Sequence, residues 1–200
     1  MTDKIKEKLE DLTIAILLTK TDIRQTENGR SLFFTLKERK VPILRDYLQR
    51  YQLKQQVAFD ESSLTGYIAP SIMLEGVLRS WTLENRVSSI NPLALGSNAY
   101  YLWISLFAEK AAHGVVIPSD LDPDVQHTLT YLFNQQFGVS LYRGSLMQIR
   151  PFSPIMLKAI KSNRPIEESM ELSYLLPLVE KEEFKTLITE WEEERSNYAY

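Results

Sequence analysis

Arginine, lysine and glutamine recur on the segments of this chain that carry strand patterning. Arg24, Gln25, Arg30 and Lys37 fall on one pair of β-prone runs, and Arg143, Gln148 and Arg150 fall on another towards the C-terminal side. Cationic and amide side chains standing off a sheet hold phosphates and read base edges, so these residues suit a nucleic-acid surface. Alternation limits the set, because Arg30 and Lys37 lie at odd spacing and share a face only across a bulge. Arg39, Lys40, Lys158, Lys161 and Arg164 flank helical stretches and would touch phosphates if the sheet faced DNA. The same residues also suit plain solvated positions, and both readings stay open.

Other chemistries find little support. The two histidines, His113 and His127, lie far apart without nucleophile–base spacing and read as structural. No serine sits in a G-x-S-x-G elbow, and neither G-x-G-x-x-G nor a P-loop occurs. With no cysteine there are no disulfides or thiolate metal sites, which suits a reducing compartment. The N-terminal stretch is charged with both signs and lacks an apolar run suited to a signal peptide or membrane span, so a cytoplasmic location is expected. The net charge of −3 argues little about a polyanion partner. Seven carboxylates against three basic residues are concentrated between Glu180 and Arg195, leaving the rest nearly neutral.

Two apolar helices must position any site. Residues 98–112 are apolar nearly all round, with Ser105, Ala108 and Ala112 as small positions that let a partner backbone approach. Residues 2–22 read as a similar helix, with Ala15 and Thr19 small and Thr2 or Asp3 as cap. The two predict a central helix pair. Between them the pattern gives a hairpin turning at Asn28-Gly29, a helix opened by Pro42, two short strands (55–60 and 64–69), a helix over 71–83 and a loop over 85–92. The plan then repeats. A strand at 114–118, a helix over 122–137 stopped by Gly138, a hairpin turning at Arg143-Gly144, a helix from Ser153 and a closing segment from Pro165 follow. This predicts an α+β fold of pseudo-twofold αββαββα halves, about 1–84 and 85–176, forming one domain over 1–176. An acidic helix lies within 177–200, with Phe184, Leu187, Ile188 and Trp191 as an apolar stripe. Packing on the domain is its expected use, with protein binding or cover of a basic face as alternatives. The aromatics Tyr100, Tyr101, Trp103, Phe107 and Phe137 read as core rather than base-stacking platforms.

In this order of elements the chain resembles the LAGLIDADG homing endonucleases, in particular the single-chain, two-repeat branch. The resemblance rests on Leu12–Ile23 and Leu102–Ala111, which look like the two signature helices. It also rests on Arg79–Pro92, on Tyr131–Val139 with its hydrophobic-Gly end, and on Ile166–Leu175 with its Ser-Met pair. It implies a central helix pair and a saddle-shaped antiparallel sheet that binds double-stranded DNA. It also implies an acidic residue followed by glycine at each signature helix end, the two carboxylates sharing divalent metal.

Here the sequence departs. Lys20 followed by Thr21 occupies the first aligned acidic position, and Glu109 followed by Lys110 the second. A carboxylate at a helix C-terminus opposes the macrodipole, whereas Lys20 and Lys110 suit it without metal. Mg²⁺ wants near-octahedral oxygen ligands, and Glu109 alone is a poor site, with Asp22 as its only candidate partner. The expectation is therefore a DNA-binding or regulatory monomer without cofactor or cleavage, with Lys20 meeting Glu109 as an ion pair. The alternatives are a protein-interaction module and an Mg-dependent endonuclease using Glu109 and Asp22.

Overall fold

The computed structural model describes residues 2–20 and 22–197. Thr21 and the last three residues lie outside the described residues. Helix α1 spans Asp3–Leu17 with Thr2 as its N-cap, and β1 (Asp22–Thr26) and β2 (Gly29–Thr35) follow as a hairpin. A 3-10 turn at Glu38–Lys40 leads into α2 (Val41–Arg50), whose Pro42 sits in the first turn where its missing N–H costs nothing. Strands β3 (Val57–Asp60) and β4 (Thr65–Ile68) precede α3 (Ile72–Trp81), where the Ser71 hydroxyl accepts from the Leu74 N–H as a cap. The predicted loop over 85–92 holds instead part of a small hairpin, β5 (Thr82–Leu83) and β6 (Arg86–Val87).

The second half runs α4 (Ser97–Phe107), β7 (Glu109–Ala111), β8 (Gly114–Pro118), α5 (Pro123–Phe137), β9 (Ser140–Tyr142), β10 (Leu146–Arg150) and α6 (Ser153–Lys161). Helix α5 stops at Gly138, which takes the left-handed conformation (φ 72°) that a residue with a Cβ adopts at a cost. Helices α7 (Ile166–Leu175) and α8 (Lys181–Asn197) close the chain. The two four-stranded antiparallel sheets have the same strand order, β1-β2-β4-β3 and β7-β8-β10-β9. That shared order is the pseudo-twofold plan expected from the sequence.

Helices α1 and α4 pack together at the centre, and Leu12, Ala15, Ile16, Leu102, Trp103 and Ser105 are fully buried there. Tyr100, Tyr101, Trp103 and Phe137 lie in the core, with Tyr100 edge-on to Phe133 at 5.3 Å. Both central helices are shorter than the apolar runs suggest. Helix α1 ends at Leu17 rather than 22, and α4 ends at Phe107 rather than 112. Glu109, Lys110 and Ala111 pair with β8 instead, because Gly114 (φ 153°) allows the reversal after His113 and strand pairing takes over the backbone groups. Ala112 therefore sits in a turn, not on the helix.

Alternation sorts the sheet faces. Ile23, Leu32, Phe34, Ile68 and Val57 point into the core, so Asp22, Arg24, Phe33, Thr35, Tyr67 and Ala58 stand on the outer face of the first sheet. Gly66 permits this packing, since a Cβ there would meet the Phe34 and Phe59 rings at 2.6 and 2.8 Å. On the second sheet Val115, Ile117, Met147, Ile149 and Leu141 face inward, leaving Glu109, Val116, Gln148, Arg150 and Tyr142 outside.

Candidate nucleic-acid interface

The ends of α1 and α4 open into a groove of about 680 Å³ between the two halves. Thr19, Lys20, Asp22, Arg24, Phe33 and Lys37 line it from the first half, and Leu106, Phe107, Glu109 and Pro118 from the second. The halves are tied at its floor, where the Thr19 hydroxyl donates to the Pro118 carbonyl at 2.9 Å. Lys20, Asp22, Arg24, Lys37 and Glu109, all singled out in the sequence, are thus brought together.

Their partners differ from expectation. Glu109 does not meet Lys20. Its carboxylate is held by Lys37 at 3.3 Å and by Arg39 at 3.1 Å. Because α4 ends early, Glu109 opens an edge strand, and the 3-10 turn after β2 delivers the two cations to it. Asp22 accepts from Arg24 Nε at 2.6 Å, and that guanidinium in turn lies 4.3 Å from the centre of the Phe33 ring. Lys20 is exposed in the same groove without an ion-pair partner among the described residues. Two residues beyond its helix end the first half has Thr19 where the second has Glu109, and Lys20 stands one position further on.

Several expected phosphate contacts are spent elsewhere. Lys40 is fully buried, and its ammonium donates to the Ser105 carbonyl at 2.8 Å and to Glu171 at 2.6 Å. Arg39 donates to Glu171, to Glu109 and to the Ala108 carbonyl, and stacks on Tyr174. Together they bring positive charge to the negative end of the α4 dipole, the service the sequence suggested for Lys110. Burial pushes the Lys40 ammonium down to about 8, against the opposing pull of Glu171.

Arg30 shares the inward parity of Leu32 and pairs with Glu75 at 2.8 and 3.0 Å on α3, so it cannot reach the outer face. Gln25 shares the side of Ile23 and bonds to its own turn at the Thr26 carbonyl. Lys158 caps the end of α5 through the Gln136 carbonyl, and Lys161 lies over Trp191 of α8, both on the helical side. Arg164 is held by Glu168 and Asn98. In the second half Gln148 and Arg150 do stand on the outer face, and Arg143 projects from the β9–β10 turn beside His127.

Helix α8 packs on α6 and contributes nothing to the groove. Its start is pinned by buried Glu180, whose carboxylate accepts from the Phe152 and Ser153 N–H groups at 2.6 and 2.7 Å. The acidic helix therefore meets Lys161 on the helical side and does not cover the basic residues of the groove. Sequence reasoning also missed the outward Phe33–Tyr67 stack (centroids 5.4 Å apart), although strand parity relative to Leu32 and Ile68 would have found it.

Neither a protein-family model nor a curated protein sequence matches the chain. Its fold is that of a homing endonuclease. The solved structure of the homing endonuclease I-WcaI bound to its DNA recognition sequence superposes with a TM-score of 0.59 at 9% identity. The match covers 86% of this chain and 88% of the other. Among the described residues no helix is long and apolar enough to cross a membrane, and no group of three or more His, Asp or Glu is placed to hold a metal ion.

Proposed function

We propose that this protein binds double-stranded DNA on a homing-endonuclease-like scaffold without cutting it, as a degenerate member of the LAGLIDADG type. The observation that carries the reading is the charge at the base of the helix pair. Where the resemblance calls for carboxylates and metal, Lys20, Arg24 and Lys37 are presented, and Glu109 is engaged by Lys37 and Arg39. Ammonium and guanidinium groups at that place hold phosphates directly.

The same groups argue against a magnesium site. Mg²⁺ keeps a near-octahedral oxygen shell and needs carboxylates free to ligate. Asp22 is paired with Arg24 and Glu109 with Lys37 and Arg39, while Lys20 adds a further positive charge to the groove. These residues do not fit the ion. Gln148 and Arg150 on the second sheet supply polar contacts for the other end of a duplex. The I-WcaI complex supports the reading by showing that this fold lies on DNA in that protein.

The test is retention on random-sequence duplex at low salt, paired with nicking of supercoiled plasmid in Mg²⁺ or Mn²⁺. Retention without nicking is expected. Nicking that disappears in Glu109→Gln would restore the endonuclease reading.

A second reading has one observation in its favour. Ile166, Met170 and Tyr174 form a line on α7, each more than half exposed, which suits a protein partner. Failure to retain duplex at low salt would transfer weight to it.

A further inference from the structure

Three planar groups line up across the outer face of the first sheet. The Arg24 guanidinium lies over one side of the Phe33 ring, and Phe33 stacks on Tyr67 with an interplanar angle of 30°. Strand register produces this ladder, since Phe33 lies opposite Tyr67 across β2–β4 and Tyr67 opposite Ala58 across β4–β3. The ladder then stops. Ala58 is exposed and carries only a methyl group, so Tyr67, itself 40% exposed, has no ring beside it on that side. The second sheet has no such ladder, because its row through Glu109 runs Val116, Gln148 and Tyr142.

A duplex presents base edges to a protein, since its ring faces are covered by neighbouring bases. A ring face becomes available only when a nucleotide is unpaired, and aromatic side chains on a sheet then stack with it regardless of base identity.

We propose that the Arg24–Phe33–Tyr67 ladder takes an unpaired DNA nucleotide as its next rung, with the base over Ala58 against Tyr67. This rests on the DNA-binding reading and deepens it: the first half grips an opened strand, while the second half meets paired bases.

The experiment compares a labelled single strand with its blunt duplex by fluorescence anisotropy at low salt, for wild type and three variants that leave the core untouched. Tyr67→Leu is expected to weaken single-strand binding roughly tenfold and leave the duplex within about twofold, since one stacking contact is lost. Tyr67→Phe should bind as wild type does, because the ring rather than the hydroxyl stacks. Ala58→Trp should weaken the single strand as Tyr67→Leu does, by filling the rung. Unchanged single-strand binding in Tyr67→Leu, or equal losses on both ligands, overturns the ladder while duplex binding stands. Wild type that retains neither ligand overturns the DNA reading itself.

Discussion

Glu109 separates the competing accounts at the scale of a single side chain. As a metal ligand it would be required. As the partner of Lys37 and Arg39 it withholds cations from a phosphate and adds a repulsive charge of its own. Glu109→Gln should therefore tighten duplex binding, by roughly threefold to tenfold at low salt, in a fluorescence anisotropy titration. Its cost to stability should stay within about 1 kcal/mol, because the pair is partly solvated and Arg39 keeps Glu171. Weaker binding would place Glu109 in contact with the ligand. The sequence carried this residue's importance but not its partners. In the sequence Glu109 aligns with a helix end, while the cations that hold it arrive around a 3-10 turn that side-chain periodicity does not reveal. Lys40 is likewise hidden from sequence, since a lysine beside an arginine reads as solvated until the fold buries it.

The end of α4 is where element and charge are coupled. Lys40 satisfies the Ser105 carbonyl and pairs with Glu171 on α7, so one ammonium joins the central helix, α2 and α7. Removing one partner of a buried pair is costly. Lys40→Met should lower unfolding free energy by about 3 kcal/mol in urea denaturation. A loss under about 0.5 kcal/mol would show that Glu171 is satisfied by Arg39 alone.

The pH dependence follows from the lowered ammonium. Below about 8 the folded and unfolded chains both hold the proton, and the burial cost is fully present. Between about 8 and the ordinary 10.5 the folded chain releases a proton that the unfolded chain keeps. Stability of wild type relative to Lys40→Met should therefore rise with pH across that window. Thermal melts of both proteins from pH 7 to about 10.5 measure it, and a falling difference would contradict the assignment.

Element order was largely legible, because Asn28-Gly29, Pro42, Gly138 and Ser153-Pro154 punctuate the chain with residues of fixed backbone preference. The ends of α1 and α4 were not. Ala108-Glu109-Lys110-Ala111 suits a helix end as well as a strand, and pairing with β8, not propensity, sets where α4 stops.

For the molecule as a whole, the two sheets share a strand order while their outer faces differ in chemistry. The first offers Arg24, Phe33 and Tyr67, the second Gln148, Arg150 and Tyr142. Helix α8 stays on the helical side, anchored through Glu180, and leaves both faces open. A symmetric scaffold thus presents an asymmetric surface, with Lys20, Arg24 and Lys37 gathered at the seam. The central claim is that this seam holds phosphates. It is tested most directly by the dependence of duplex affinity on salt, in wild type and in Lys20→Ala. The slope of log K against log salt is expected to be about −3 to −4 for wild type, and shallower by about 1 in Lys20→Ala. A wild-type chain that fails to bind duplex at low salt, or a slope that Lys20→Ala leaves unchanged, would contradict the account.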